Sequence, residues 1–250
     1  MAAPISPADV PRPLMPTPDW DDLLATAATR QALQLLVKEH RHANRLAQRG
    51  VLPRQRILLT GPPDCGQSFV VDRLATTLNR TACVLSLEAW AAQPPPAQWA
   101  ALDTWAASGS LLVVRDAQVL GEASRVVMAS PAARLFLAWL NQAPAGPLYV
   151  VRDVPKRPTA REVLRAFSYI FVLYMPEPAF MERFVRDRLA GWPVSPEAIV
   201  GLRQVTVGFS FGDLAYVVES AQRASLLTDR SLADCLRDAV VERDRLIREA

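Results

Sequence analysis

The residues of this sequence best placed to do chemistry lie in the run Gly61-Pro62-Pro63-Asp64-Cys65-Gly66-Gln67-Ser68. The two glycines, the polar residue after the second and the serine beyond it match the spacing of a phosphate-binding loop, G-x-x-x-x-G-K-[ST]. In such a loop backbone N–H groups and a helix N-terminus converge on phosphate, a lysine reaches the terminal phosphates, and the hydroxyl holds Mg²⁺. Gln67 stands in the lysine's place. A glutamine donates hydrogen bonds but brings no charge to a transition state that gathers negative charge. Asp64 adds a carboxylate to a nest of N–H groups suited to anions, while Ser68 keeps the hydroxyl for a metal ion. The other reading of the stretch is a tight strand-to-helix connection that needs Gly61 and Gly66 to turn and holds no ligand.

Such a loop needs a buried strand before it and a helix behind it, and the flanks supply both. Arg56–Thr60 is a mainly apolar run, and Val70, Val71, Leu74, Ala75 and Leu78 recur at helical spacing. Further strand-like runs at 82–87, 111–114, 148–151 and 169–173 alternate with helical patterns at 132–140 and 161–167, which predicts a parallel sheet. Upstream, Leu33, Leu36, Val37 and Leu46 follow helical spacing from an N-cap at Thr29 to a stop at Gly50. His40 and His42 on that helix point to different faces and read as solvated side chains, not as a metal pair. Trp90, Trp99 and Trp105, around Pro94-Pro95-Pro96, read as packing in preference to a binding surface. Past Met175 the pattern is helical only. Phe180, Phe184, Val185 and Leu189 share a face, and Ser195-Pro196-Glu197, Ser210 with Asp213, and Ser231 with Asp234 are helix starts. The expected organisation is a disordered Pro-rich lead-in at 1–19, an α/β nucleotide-binding domain at 20–175 and an all-helical lid domain at 176–250.

Half of the 250 residues are hydrophobic and 21% are charged, enough to bury a sizeable core. The formal charge is only +3, and Lys38 and Lys156 are the only lysines, so the basicity is nearly all arginine. A low total charge argues against nucleic acid as a partner. Cys65, Cys83 and Cys235 lie far apart without metal-ligand spacing, which predicts free thiols in a reducing compartment. No stretch reaches the roughly 18 apolar residues of a membrane span, and the expected location is cytoplasmic.

Taken in order, Trp20-Asp21-Asp22-Leu23-Leu24, the phosphate loop and Gly208-Phe209-Ser210-Phe211-Gly212-Asp213-Leu214 resemble the AAA branch of the AAA+ ATPases. GPPDCGQS is similar to that family's GPPGCGKS loop, and GFSFGDL to its lid signature GFSGADL. The resemblance implies a parallel-sheet P-loop domain with a helical lid, ATP or ADP with Mg²⁺ on the loop, and Ser68 as the metal hydroxyl. It also implies hydrolysis between subunits of a ring by a strand that ends in Asp-Glu. Aligned on Leu120, that pair falls on Arg115-Asp116, so Arg115 replaces the metal-holding aspartate and Asp116 takes the place of the catalytic base. A slide of one residue makes Asp116 the metal residue and Ala117 the missing base. Either way one carboxylate is lost. The family's arginine pair aligns with Arg165 and Ala166, which leaves Arg165 as an arginine finger or as a surface helix residue. The polar residue after the fourth strand falls among Arg152, Asp153 and Lys156 without a clear match, and Trp90-Ala91-Ala92 is the nearest equivalent of the substrate loop. The strand ends carrying the loop and the Asp-Glu motif are expected side by side, which makes Arg115 the expected partner of Asp64.

With these losses the resemblance implies a catalytically impaired, AAA+-like nucleotide-binding or structural subunit. Its nucleotide binding would be weak and indifferent to Mg²⁺, and it would act through contacts with another AAA+ protein or a regulated partner in a homo- or hetero-oligomer. Two readings compete. One is an active ATPase with a rebuilt site, in which Arg115 or another subunit's arginine replaces the lysine. The other is a DNA-associated replication or transposition regulator, which the low net charge disfavours.

Overall fold

The computed structural model describes residues 23, 25–108, 110–115, 117, 131–143, 147–153 and 161–249. The lead-in at 1–19, most of the motif at 20–24, Asp116 and Lys156 lie outside them. The chain divides into two compact units, Met1–Gly61 with Gln67–Leu173, and Pro62–Gly66 with Tyr174–Ala250. The phosphate loop thus leaves one unit after Gly61 and returns to it at Gln67.

The first unit is built on five strands, β1 (Arg56–Thr60), β2 (Ala82–Ser86), β3 (Leu111–Arg115), β4 (Leu148–Asp153) and β5 (Tyr169–Val172). All pair in parallel in the order β2-β3-β4-β1-β5. Parallel strands have to be linked by crossovers, and the chain supplies α3 (Gln67–Thr77), α4 (Leu87–Ala91) with α5 (Pro95–Ala107), α6 (Pro131–Gln142) and α7 (Arg161–Leu164). Before β1 come α1 (Ala27–Arg41) and α2 (Ala43–Ala47). The strands read as continuous apolar runs because the central ones are buried on both faces. Leu58, Leu112, Val114, Tyr149 and Val151 point into one core layer, while Ile57, Leu59, Val113 and Val150 on the opposite face are equally inaccessible.

The tryptophans of the middle segment are core residues. Trp90 meets Phe136 edge-on at 6.0 Å, and Trp105 stacks on Trp139 at 5.8 Å. Both ring N–H groups are satisfied, Trp90 Nε1 donating to the Gln98 carbonyl at 3.0 Å and Trp105 Nε1 to that of Cys83 at 3.3 Å. Such aromatic pairs add about 0.5–1.5 kcal/mol each beyond the area they bury. Trp99 alone faces outward, at 41% exposure.

Two expectations about α1 are corrected. Its N-cap is Thr26, whose hydroxyl accepts from the Thr29 amide at 3.2 Å; Thr29 lies in the first turn. His40 is buried, with Nε2 2.7 Å from the Arg54 carbonyl oxygen, and only His42 is exposed. Spacing alone gives the angle between the two side chains but not what α1 packs against at each angle.

The second unit carries four helices among its described residues, α8 (Pro178–Arg188), α9 (Pro196–Val205), α10 (Phe211–Leu227) and α11 (Leu232–Glu249). Its core joins Met181, Val185, Leu189, Leu202, Leu214, Val218 and Leu236. Ser195 caps α9, and Ser210 with Asp213 forms a reciprocal capping box on α10. At the start of α11 the Ser231 hydroxyl accepts from the Asp234 amide at 3.2 Å and donates to the Asp234 carboxylate at 2.6 Å, without the reciprocal bond from the Ser231 amide among those observed. Among the described residues no helix is long and apolar enough to cross a membrane.

Candidate functional site

The loop begins where β1, flanked by β4 and β5, ends. In open parallel sheets, ligands bind outside the carboxyl ends of the strands. Gly61 has φ 150°, and a Cβ there would stand 2.1 Å from the carbonyl oxygen of Leu173, so only glycine lets β1 leave the sheet beside the end of β5. Gly66, at φ 100°, makes the second turn. Both glycines of the spacing thus stand where the backbone takes a positive φ.

The loop's side chains are directed elsewhere. Gln67, in the lysine's place, is 2% exposed, and its Nε2 donates to the Gly61 carbonyl at 3.2 Å. The side chain that would reach a terminal phosphate is folded back on the start of its own loop. Ser68 is the second residue of α3. Asp64 adopts φ 56°, the left-handed conformation that costs a non-glycine residue about 1–2 kcal/mol.

The carboxyl group of Asp64 packs on Gly212 in the first turn of α10. A Cβ at Gly212 would lie 2.7 Å from Asp64 Oδ2 and 2.8 Å from its Cβ and Cγ. The positive end of a helix dipole favours a carboxylate there. Cys65 is buried beside it, with Sγ donating to Met175 Sδ at 3.4 Å. Burial, with the charges of Asp64 and Asp213 added, pushes its thiol up to about 11, so it is neither a thiolate nor a nucleophile at neutral pH.

Asp213 anchors this end of the second unit. Its Oδ2 accepts from the Ser210 amide and hydroxyl, each at 2.7 Å, and its Oδ1 takes Arg243 Nε and Nη2 at 2.8 and 2.6 Å. Burial raises its carboxyl, but the Ser210 and Arg243 hydrogen bonds and the guanidinium charge outweigh that and hold it below the usual carboxylate range. Arg243 also covers the Tyr216 ring at 5.0 Å. The capping box was legible in the sequence; the use of the same carboxylate by Arg243 and the packing of Asp64 on Gly212 were not. The signal for Gly212 was only a helix-breaking residue in a helix's first turn.

Other predicted residues fall at the same sheet end. Arg115 closes β3 in register with Ser86, and Asp153 closes β4 in register with Thr60. The expected adjacency of β1 and β3 is corrected. β4 lies between them, which separates the ends of β1 and β3 by about 10 Å at the usual strand spacing. The Ala117 amide donates to the Arg152 carbonyl at 3.3 Å, so the chain leaving β3 runs beside the end of β4. Arg165 is exposed just after α7, and Ala166 beside it is buried. Of the side chains in the loop, that of Gln67 is turned back on Gly61 and that of Asp64 lies against Gly212.

This geometry can be set beside known proteins. No protein-family model matches the chain. The AAA domain of FIGL-1 superposes with a TM-score of 0.69 and 18% identity, over 88% of this chain and 82% of that one. The fold is that of an AAA domain. The same FIGL-1 domain solved in complex with ADP gives the same values. In sequence, the chain is 25% identical over 242 residues, 89% of its length and 70% of the relative's, to an uncharacterized AAA family ATPase, y4kL, of Sinorhizobium fredii (strain NBRC 101917 / NGR234). The resemblance to AAA+ ATPases carried by the loop and the GFSFGDL motif thus extends over most of the chain.

Proposed function

We propose that this AAA-type protein is a catalytically impaired member of its kind, a nucleotide-sensing or structural subunit that acts through protein contacts. The observation that carries the reading is Gln67. The position from which a phosphate loop reaches the terminal phosphates holds an uncharged side chain, buried and bonded to the Gly61 carbonyl. Asp64 points the same way by adding negative charge beside the nest. Residual binding of ATP or ADP is supported by the retained turns at Gly61 and Gly66 and by the FIGL-1 domain, which has been solved with ADP on the same fold. With the lysine gone, Ser68 has lost its companion for a metal-bound phosphate, and binding is expected to be weak and little affected by Mg²⁺. The partner on this reading is another AAA+ protein or a regulated protein in a homo- or hetero-oligomer.

Calorimetric titration of the purified protein with ATP and ADP, with and without Mg²⁺, tests the proposal. Asp64→Gly combined with Gln67→Lys is expected to raise affinity by about tenfold or more, beyond either change alone, which corresponds to about 1.4 kcal/mol. Tight, strictly Mg²⁺-dependent binding by the unaltered chain would favour a rebuilt active site instead, with Arg115 at the end of β3 as its cation.

A further inference from the structure

The low total charge of the chain conceals a strong segregation. Between Ala27 and Arg56 the sequence carries Arg30, Lys38, Arg41, Arg45, Arg49, Arg54 and Arg56 against one carboxylate, Glu39, in a chain whose total is only +3. Glu39 is already taken: it accepts from the Arg54 amide at 3.0 Å and pairs with the Arg54 guanidinium at 3.5 Å. Arg30 and Arg56 are also used internally, on the Ala25 carbonyl at 2.7 Å and the Asn141 side chain at 3.1 Å.

Four cations are left on one surface. Lys38, Arg41, Arg45 and Arg49 are all exposed, at intervals of three and four residues, the spacing that places side chains on one helix face. The segment is two helices and a turn, not one helix: His42 (φ −106°, ψ 24°) separates α1 from α2, and Arg49 follows α2 in a turn closed by its amide on the Leu46 carbonyl at 2.9 Å. Among the described residues, none of the four has a carboxylate partner.

The C-terminal helices show the opposite arrangement. Arg188 pairs with Glu219 at 3.3 Å, Arg223 with Glu219 at 3.1 Å, Arg230 with Asp238 at 2.6 Å and Arg248 with Asp244 at 2.8 Å; Arg186 with Glu182 and Arg237 with Asp234 do the same. Most arginines there are paired with carboxylates, whereas Lys38, Arg41, Arg45 and Arg49 have no carboxylate partner among the described residues.

We propose that the Lys38–Arg41–Arg45–Arg49 face binds the phosphodiester backbone of double-stranded DNA without reading its sequence. Three of the four groups are guanidinium forks, which match phosphate geometry in a way an ammonium does not. The four charges lie within twelve residues of chain on two consecutive helices and the turn that follows them, a local concentration of cations suited to a regularly charged polyanion. Exposed Gln34, Asn44 and Gln48 border it, adding neutral hydrogen-bonding groups. A membrane surface fits less well. An interfacial helix turns its apolar side to the lipid, whereas the apolar side of α1, with Leu33, Leu36 and Val37, is buried in the fold; of the exposed apolar residues beside the cations, Leu35 is on α1, while Val51 and Leu52 follow the helices. The inference does not depend on the state of the phosphate loop.

The test is fluorescence anisotropy of labelled random-sequence duplex DNA titrated with the full chain. Four phosphate contacts predict a slope of about −3.6 in log K against log salt, or roughly a 100-fold loss of affinity between about 50 and 200 mM salt. The triple variant Lys38→Gln, Arg45→Gln, Arg49→Gln should bring the slope to about −1 and weaken low-salt binding at least about tenfold. Arg41 is left in place because Nη2 also donates to the Thr77 carbonyl at 3.1 Å. An unchanged melting temperature checks that the variant folds. Equal binding by parent and variant, or no salt-dependent binding by the parent, overturns the proposal. So does binding of phosphatidylserine vesicles or of an acidic polypeptide without binding of the duplex.

Discussion

At Asp64 and Gly212 two single residues decide how the phosphate loop is held. Asp64 accepts a left-handed backbone that glycine would adopt freely, and its carboxyl group lies where a side chain at position 212 would go. Gly212→Ala therefore has opposite effects in two backgrounds. In the natural chain the added methyl meets Asp64 and should destabilise the protein by about 1–3 kcal/mol. In an Asp64→Gly background the clash disappears, and alanine's better helix propensity should stabilise by about 0.5–1 kcal/mol. Denaturant unfolding of the four proteins measures the coupling; equal effects in both backgrounds would mean that the two residues do not meet. Gly61, Gly66 and the substitution at Gln67 were legible in the sequence because the loop's spacing is fixed by local backbone geometry. That Gln67 folds onto Gly61 was not, since a glutamine can point into or away from the nest without changing the pattern of residues around it.

One group at a helix start, Asp213, and one at a helix end, His40, have shifted pKa values. Asp213, bonded by Ser210 and Arg243, has its folded-state pKa depressed, so its contribution is complete above its unfolded value near 3.8 and is lost as pH falls through the lower folded value. Asp213→Asn should remove that acid-sensitive part of the unfolding curve. Arg243→Met should cost about 2 kcal/mol at neutral pH through two lost charge-assisted hydrogen bonds. His40, which pins the end of α1 to the segment before β1, is shifted downward by burial and by the charge of Arg80, against the Arg54 carbonyl bond and Glu39. Its neutral form is the one that fits. The stability it supports is present above about pH 6.5 and declines as pH falls toward its folded pKa, and His40→Gln should flatten that decline in a pH series of melting temperatures. All five strands and the four C-terminal helices could be read from apolar runs and capping residues, because both signals are local. Strand order could not, and for that reason β3 was expected next to β1 with β4 left out of account.

Over the whole molecule, family-like order from the loop at 61–68 to the GFSFGDL motif made the AAA fold readable, since that order survives the loss of individual side chains. The charge distribution was hidden by its sum, as the surplus on α1 and α2 is offset by acidic residues elsewhere in the sequence. We propose that an AAA fold has been kept here while its phosphate chemistry has been given up. Steady-state phosphate release by the purified protein at saturating ATP and Mg²⁺ tests this most directly. The account predicts a rate no higher than that of Asp116→Ala or Gln67→Ala measured in parallel; turnover that Asp116→Ala abolishes would contradict it.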